Sequence, residues 1–282
     1  MKLCRNPACP NPNNPLSNRY CQSCGVSLDQ DYIFRSRYQV KRLLGQGAFG
    51  RTYQAEDLDC LNRPCVIKKF IGTPGKGLEL FQREAEKLLE LDSSQIPKLY
   101  AYFQQDNSFY LVQQFIDGED LFKTCLKCGT FNEADILTLL SDLLPVLDYI
   151  HNRGLLHRDI KPENVMRHGP HPLAPSPTGR GGKLVLIDFG GAKQITGTLQ
   201  GTPGTQLYTP GYAAIEQVMG SPLPASDIYS LGATCIRLLT GIFPQYNAYG
   251  DLIDDLYDTL NVRWVWREKL AEQGKTISDR LA

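Results

Sequence analysis

The stretch HRDIKPEN, residues 157–164, decides how this chain is interpreted because it places an acid, a base and an amide within six positions. Asp159 can accept the proton of an attacking hydroxyl group, and Lys161 can neutralise charge on a transferred phosphoryl group. Asn164 can ligate a metal ion, and Pro162 stiffens the turn that brings these groups together. A polar turn that merely ends a helix needs neither the lysine nor the asparagine. The pattern therefore indicates phosphoryl-transfer chemistry.

A second carboxylate follows twenty-four positions after Asn164, in the stretch KLVLIDFGGAK at residues 183–193. Asp188 ends an apolar run that reads as a strand, and a pair of glycines follows one residue later. Mg²⁺ in proteins is usually bound through one or two carboxylates together with phosphate oxygens. Asp188 and Asn164 are therefore the predicted magnesium ligands.

Upstream, the stretch GQGAFG places Gly45, Gly47 and Gly50 at the spacing G-x-G-x-x-G. A dinucleotide-binding fingerprint with this spacing would be followed by a helix. Here the glycines are followed by RTYQAED, which alternates like a strand. The context favours a hairpin that covers the phosphates of a nucleotide, where missing side chains let backbone N–H groups approach.

The order of predicted elements indicates an α+β chain in two lobes. Strand-like patterns fill 37–58, 63–70 and 109–116, with one amphipathic helix in 77–92 between them. Helical patterns then dominate at 133–152, roughly 225–240 and 265–272. A segment rich in proline and glycine, 168–182, reads as a loop between two short strands. The predicted division is a zinc-ribbon-like module with four cysteines at 1–30, a linker at 31–37, an N-lobe at 38–116 and a C-lobe at 117–282.

The composition is that of an ordinary soluble domain, with 42% hydrophobic and 21% charged residues in 282. Thirty basic side chains balance thirty acidic ones, so no net field favours nucleic acid or an anionic membrane as a partner. No apolar stretch reads as a secretion signal or a membrane span, since the most apolar segment is interrupted by Asp142 and Asp148. We expect a cytoplasmic protein.

Taken in order, the glycine loop, VIK, REA, HRDIKPEN and DFG resemble the eukaryotic-like (Hanks-type) serine/threonine protein kinases over about 38–280. The details FGRTY and DFGGAK are most similar to a cyanobacterial branch of that family. The resemblance implies a two-lobed protein-kinase fold, with a small antiparallel-sheet N-lobe carrying one helix and a larger helical C-lobe. It also implies ATP and Mg²⁺, with Mn²⁺ as a substitute, protein substrates, and self-association for autophosphorylation.

The resemblance assigns further roles in nucleotide binding. Lys68 matches the lysine that grips the α- and β-phosphates, with Lys69 as the alternative, and Glu84 matches its helix-borne partner. In YLVQQFIDGED, the backbone groups of Gln114 and Ile116 would contact adenine. Asp120 would reach the ribose; the alternative reading of this stretch is a buried strand followed by an ordinary turn.

Residues 196–217 match the activation segment of the family. Thr209 would hydrogen-bond the Asp159–Lys161 pair, which implies transfer to serine and threonine. Thr205 is the candidate site of an activating phosphate, and the alternative is that both threonines simply belong to a polar loop. We expect phosphorylation at Thr205 to create a charge that Arg158 could pair with.

Several positions depart from the family pattern: Ile215 replaces a proline, Thr52 a valine and Val66 an alanine. None of these removes a catalytic group. Glu216 matches a glutamate that pairs with an arginine late in the helical lobe, and Arg280 lies in the wrong local pattern for that partner. We therefore expect the C-lobe to be truncated here, with its last helices beyond Ala282.

The first thirty residues contain Cys4, Cys9, Cys21 and Cys24, grouped as two pairs. Four thiols in this grouping are typical of a tetrahedral structural zinc site, and a segment this poor in apolar residues needs such a staple to fold. A thiol–disulfide switch and an unfolded leader are the alternatives. For the whole chain, the alternative to an active kinase is a nucleotide-binding pseudokinase that acts as a scaffold through its cysteine-rich ribbon.

Overall fold

The structure is a computed structural model that describes residues 2–4, 6, 9–28, 32–47, 50–71, 85–105, 108–168, 182–189 and 208–278. The chain forms two compact units. The first comprises 1–92, 97–115 and 192–203, and the second comprises 93–96, 116–191 and 204–282. The predicted division at 30, 37 and 116 stays a prediction. Most of the predicted loop 168–182 lies outside the described residues.

The first unit is built on β-structure, as the alternating patterns predict. Its strands are β1 (Lys2–Leu3), β2 (Asn13–Asn14), β3 (Ile33–Phe34), β4 (Tyr38–Gly47), β5 (Gly50–Asp57), β6 (Arg63–Ile71), β7 (Leu99–Gln105) and β8 (Ser108–Gln114). β3 to β8 form one antiparallel sheet in the order β3-β4-β5-β6-β8-β7. Of the predicted helix at 77–92, the part that the structure describes is helical over 85–89.

The period-two pattern of β5 decides which face of this sheet is buried. Arg51, Tyr53, Ala55 and Asp57 alternate with less buried neighbours along the strand. Tyr53 and Ala55 belong to a buried cluster of aromatic and branched side chains drawn from every strand of the sheet. Leu3 of β1 also belongs to this cluster, so the N-terminal segment packs onto the sheet.

The N-terminal segment is centred on a small buried cluster that contains its cysteines. β1 and β2 pair antiparallel, and an isolated bridge joins Tyr20 to Ser27. Among its described residues, its own core consists of three buried cysteines and Leu28, with Cys24 packed against them. So small an apolar cluster cannot stabilise a domain by itself.

The second unit is mainly helical. Its helices are α1 (Leu121–Cys128), α2 (Glu133–His151), α3 (Ile215–Val218), α4 (Pro224–Thr240) and α5 (Trp266–Glu272). The predicted helices at 133–152, 225–240 and 265–272 are thus confirmed. Short antiparallel strands complete the unit: β9 (Gly118–Asp120), β10 (Val165–His168), β11 (Lys183–Leu186), β12 (Gln245–Tyr246), β13 (Leu252–Ile253), β14 (Tyr257–Asp258) and β15 (Arg263–Trp264).

Helix α2 shows how the sequence specifies this unit. Asn132 caps its first turn by accepting from the Asp135 N–H, and the Asp135 carboxylate accepts from the Asn132 N–H in return. Buried apolar side chains then recur every three or four positions: Ile136, Leu139, Leu143, Val146, Leu147 and Ile150. Among the described residues, no helix is both long enough and apolar enough to cross a bilayer.

Candidate active site

The centre of the candidate site is the carboxylate of Asp159, which is buried. The Thr209 hydroxyl donates to its Oδ1 at 2.5 Å, and Lys161 Nζ lies 3.4 Å from its Oδ2. Lys161 Nζ also donates to Thr209 Oγ1 at 3.2 Å. The predicted contact of Thr209 with the Asp159–Lys161 pair is therefore present in the structure.

The side-chain amide of Asn164 is oriented by two hydrogen bonds. Its Nδ2 donates to the backbone oxygen of Asp159 at 2.7 Å and to Asp159 Oδ2 at 2.9 Å. The nitrogen is therefore turned to the carboxylate, and the amide oxygen is turned away from it. An oxygen ligand beside a carboxylate suits Mg²⁺, so the orientation of Asn164 fits its predicted role.

The loop that carries Asp159 is anchored by a fully buried carboxylate, Asp227 on α4. Its Oδ2 accepts from the His157 N–H at 2.9 Å and from His151 Nε2 at 2.8 Å. Its Oδ1 accepts from the Arg158 N–H at 2.7 Å. Burial alone would raise the pKa of Asp227, but these donors outweigh it and hold the pKa below its ordinary value.

His157 connects the loop of Asp159 to the segment that carries Asp188. Its Nε2–H donates to the Ile187 oxygen at 2.9 Å, and its ring lies 4.7 Å from the ring of Phe189, centroid to centroid. Burial lowers the pKa of His157 against the opposing charges of Asp227, Asp159 and Asp188, so the ring is neutral. Asp188 is thus placed near the His157 ring, and Nδ1 of the same ring accepts a hydrogen bond from the Asp159 N–H at 3.3 Å.

Two residues of the site have a left-handed backbone, Arg158 with φ 66° and Asp188 with φ 62°. For residues other than glycine this conformation costs about 1–2 kcal/mol, and such residues are frequent at functional sites. At Arg158 the cost is offset because its N–H bonds to Asp227 and its carbonyl accepts from Gln217 Nε2 at 2.8 Å.

The predicted phosphate-binding residues of the first unit lie on β4, β5 and β6. Gly45 is opposite Thr52 beside an irregularity in the pairing, and Gly47 is opposite Gly50 at the end of the hairpin. A Cβ on Gly50 would lie 1.9 Å from the Lys69 oxygen, so only glycine fits there. Lys68 is buried in the middle of β6, opposite Thr52. Glu84 lies outside the described residues.

The residues predicted to bind adenine and ribose follow β8. The Gln114 N–H donates to the Lys98 oxygen at 2.8 Å. Ile116 is buried. Asp120 caps α1, because its Oδ1 accepts from the Lys123 N–H at 2.8 Å and its Oδ2 lies 2.7 Å from Lys123 Nζ. A capping carboxylate with a lysine beside it is a structural explanation for Asp120 that competes with ribose binding.

Glu216, for which the sequence leaves the partner open, bonds to a serine of α4. The Ser226 hydroxyl donates to Glu216 Oε1 at 2.5 Å and lowers the pKa of Glu216. Glu216 therefore has a partner within the second unit, while Arg280 and Thr205 lie outside the described residues. That the last helices of the C-lobe lie beyond Ala282 stays a prediction.

A cavity of about 570 Å³ opens beside Thr209 within the second unit. The rings of Phe122 and Phe243, which meet edge to face with centroids 4.8 Å apart, form part of its apolar wall. The carboxylates of Glu163 and Asp255 also line it. Since Thr209 bonds to Asp159, this cavity is next to the predicted catalytic base.

The four N-terminal cysteines form one cluster. All four sulfurs lie within 4.8 Å of one another, with 3.4 Å between those of Cys4 and Cys24 and 3.6 Å between those of Cys9 and Cys21. Burial opposes ionisation of Cys21, but donors that include the Ser23 and Cys24 N–H groups lower its pKa to about 6. The Val26 N–H lowers the pKa of Cys24.

Sequence reasoning missed Asp227, which orients the loop that carries Asp159. A signal was present: on the predicted helix at 225–240, position 227 shares a face with Leu231, Thr234 and Leu238. An aspartate on an apolar helix face implies a buried partner. Only the folded structure shows that these partners are the N–H groups of residues 157 and 158.

Comparison with known proteins agrees with this architecture. The family model "protein kinase domain" matches residues 38–281. Serine/threonine-protein kinase B of Synechocystis sp. is 40% identical over 87% of this chain and 43% of its own length. Serine/threonine-protein kinase PknA of Nostoc sp. is 42% identical over 76% of this chain and 39% of its own. The chain belongs to the protein kinase domain family, and the resemblance found in the sequence is confirmed.

Solved structures show the same fold. A structure described as the apo form of PpkA-294 matches with a TM-score of 0.59 and 28% identity, covering 76% of this chain and 79% of that one. The kinase domain of Mycobacterium tuberculosis PknI matches with a TM-score of 0.56 and 25% identity, covering 74% and 76%. The predicted protein-kinase fold is confirmed, and the chain spans about half the length of the curated relatives it matches.

The neutral state of His157 predicts how stability depends on pH. Its folded pKa is lowered, so below about pH 6.5 the unfolded chain binds a proton that the folded chain does not. Stability is therefore present above this pH and falls as the pH falls, by at most about 1.4 kcal/mol per pH unit from this group. Asp227, whose pKa is also lowered, adds a loss only below about pH 4.

Urea unfolding at pH 7.5 and pH 5.5 measures this loss. In His157→Gln we expect a smaller loss between the two pH values than in the wild type, whereas exposed His168→Gln should keep the wild-type loss. Equal losses in the wild type and in His157→Gln would show that His157 does not titrate on unfolding.

Proposed function

We propose that this chain is the catalytic domain of a serine/threonine protein kinase, which transfers the γ-phosphate of ATP to hydroxyl groups of protein substrates. The observation that carries the proposal is the hydrogen-bonded set of Asp159, Lys161, Asn164 and Thr209. Asp159 would accept the proton of the substrate hydroxyl as it attacks phosphorus. Lys161, whose Nζ lies 3.4 Å from that carboxylate, would neutralise charge on the phosphoryl group during its transfer.

Magnesium would be held by Asn164 and Asp188, with Mn²⁺ as a substitute. The amide oxygen of Asn164 is available because its nitrogen bonds Asp159. Bound Mg²⁺ supplies charge neutralisation on the phosphate oxygens. The family resemblance assigns the phosphates to Gly45, Gly47, Gly50 and Lys68 with Glu84, adenine to Gln114 and Ile116, and ribose to Asp120.

Substrate proteins would bind at the cavity beside Thr209. Its aromatic wall and the carboxylates of Glu163 and Asp255 support a segment that carries apolar and basic side chains. Phosphorylation at Thr205 as an activating event, self-association for autophosphorylation and a cytoplasmic location complete the proposal, and rest on the sequence alone.

The proposal is tested by incubating the purified chain with γ-labelled ATP and a generic serine/threonine protein acceptor. We expect label in the acceptor with Mg²⁺, and none with EDTA or in Asp188→Ala. If the wild type binds nucleotide but transfers no label, with Asp188→Ala indistinguishable from it, the pseudokinase scaffold is the better account. Each reaction is run with and without reductant, so that control through thiols is measured in the same assay.

We also propose that Cys4, Cys9, Cys21 and Cys24 bind one structural zinc ion. Four thiolates around zinc at about 2.3 Å would place sulfurs about 3.8 Å apart. The sulfur–sulfur separations of 3.4 and 3.6 Å, with all four sulfurs within 4.8 Å of one another, agree with that arrangement. A disulfide would need about 2.05 Å. The tiny core of this segment gives zinc a clear role in its folding.

Metal analysis of the chain should find about one zinc per molecule. Cys21→Ser removes a ligand and should lose most of it, whereas Cys128→Ser, an exposed cysteine outside the cluster, should keep it. A metal-free chain whose N-terminal segment is folded, with the same four residues in disulfides after mild oxidation, would favour the thiol–disulfide switch.

A further inference from the structure

The N-terminal cysteine segment is attached to the glycine-rich hairpin by the side chain of Arg51. Arg51 is the residue directly after Gly50 and is buried despite its charge. Its Nη1 donates to the Asn6 oxygen at 3.2 Å and its Nη2 donates to the Cys9 oxygen at 3.1 Å. One guanidinium group thus bonds two backbone carbonyls in the first cysteine pair, and one of these belongs to a proposed zinc ligand.

Arg51 lies in the sheet between two strands that carry proposed phosphate-binding residues. Across the hairpin Arg51 pairs with Gln46, and on the other side it pairs with Lys69. The next residue, Thr52, pairs with Lys68. Arg51 therefore lies between the glycine turn and the strand that carries the proposed phosphate-binding lysine, within one sheet.

Two more contacts hold the same segment against the hairpin. The Leu43 N–H donates to the side-chain oxygen of Asn13 at 3.3 Å, next to the irregularity at Leu43 and Gly45. Leu3 packs into the aromatic core beneath β4 and β5. The cysteine segment thus contacts β4 and β5 through the apolar side chain of Leu3, the side-chain oxygen of Asn13, and the backbone carbonyls that accept from Arg51.

We propose that Arg51 is a positioning residue through which the metal-bound cysteine segment holds the glycine-rich hairpin in its nucleotide-binding conformation. The inference rests on the proposed function for its readout. Zinc fixes the backbone around Cys9, and the Asn6 and Cys9 carbonyls then accept two hydrogen bonds from the buried guanidinium, which also bonds to the Tyr53 side chain. Without metal those carbonyls are no longer held in place, and the hairpin loses an attachment one residue from Gly50.

The test compares wild type, Arg51→Met and Arg42→Met, each with zinc and after its removal by a chelator. Arg42 is the matched control, an exposed arginine on β4 whose Nε donates across the hairpin to the side-chain oxygen of Gln54 at 2.7 Å. The measured quantities are zinc content, the Kd of a fluorescent ATP analogue with Mg²⁺, and KM for ATP and kcat in the transfer assay.

We expect Arg51→Met to retain zinc while its Kd and KM for ATP rise about fivefold or more, with kcat changed much less. Zinc removal should produce a similar rise in the wild type and in Arg42→Met, and little further rise in Arg51→Met. Should Arg51→Met fold poorly, Arg51→Lys, whose single ammonium cannot match the two-pronged contact, should show an intermediate rise.

The inference is overturned if Arg51→Met binds nucleotide as tightly as the wild type does. It is also overturned if zinc removal weakens nucleotide binding equally in the wild type and in Arg51→Met. Failure of the proposed function would look different, because a wild type that binds ATP without transferring phosphate still reports the coupling through Kd. If the wild type bound no nucleotide, hydrogen exchange over 42–54 would decide: zinc removal should speed exchange in the wild type, and an unchanged rate would contradict the inference.

Discussion

Asp159→Asn should reduce kcat for phosphotransfer by a factor on the order of 10²–10⁴ while KM for ATP changes little. The reason is the arrangement around the carboxylate, where Thr209 donates to one oxygen and Asn164 donates to the other. An amide in place of the carboxylate cannot take a proton from the substrate hydroxyl. The amide would also turn its NH₂ group toward either Thr209 or Asn164, and in the wild type both of these donate hydrogen bonds to Asp159.

This result is measured as initial rates of label transfer at saturating Mg²⁺ and varied ATP, with circular dichroism to establish that the variant is folded. Asp148→Asn is the matched control, because Asp148 is exposed on α2 and makes no part of the site. A kcat for Asp159→Asn within a few-fold of the wild-type value would contradict the proposal that Asp159 is the base.

The largest loss of stability is expected from Arg237, whose side chain is completely buried on α4. It contacts both oxygens of Asp254 at 2.6 and 3.1 Å, and its Nη2 also donates to the Gly211 oxygen at 2.7 Å. The guanidinium carbon lies 4.9 Å from the ring centroid of Tyr212 and 5.4 Å from that of Trp264. Arg237 thus joins α4 to Gly211 and Tyr212 and to the short strands before α5.

Removing one partner of a buried ion pair leaves the other charge without compensation, so Arg237→Met should cost about 3–5 kcal/mol. Tryptophan fluorescence during urea unfolding reports on this region, because both tryptophans, Trp264 and Trp266, lie in the second unit. Adding Asp254→Asn to Arg237→Met should cost much less than Asp254→Asn alone.

Arg263→Met is the control for Arg237→Met. Arg263 is exposed and pairs with Glu268 on the surface, so its loss should leave the unfolding midpoint unchanged within error. If Arg237→Met unfolded at the same urea concentration as Arg263→Met, the buried pair would not hold these segments together.

The elements with regular patterns are the ones that sequence reasoning placed correctly. Helix α2 carries a capping box and a continuous apolar stripe, and β5 alternates without interruption, so local periodicity is sufficient for both. The proposed base Asp159 and the amide of Asn164 are predictable from sequence because they lie five residues apart in one loop. Their contact depends on a single turn of chain.

What sequence reasoning missed depends on contacts between distant segments. The hairpins β12–β13 and β14–β15 have strands of only two residues, too short for any alternation to show. Asp227 bonds to residues about seventy positions away, and Arg51 bonds to residues more than forty positions away. Such pairs leave no periodic signal, since a buried charge indicates that a partner exists without saying which.

The most direct test of the account is the phosphoamino-acid content of a protein acceptor after incubation with this chain, γ-labelled ATP and Mg²⁺. The account predicts labelled phosphoserine and phosphothreonine from the wild type and almost none from a folded Asp159→Asn. Equal labelling by the two proteins, or no labelling by a wild type that binds ATP, would contradict it.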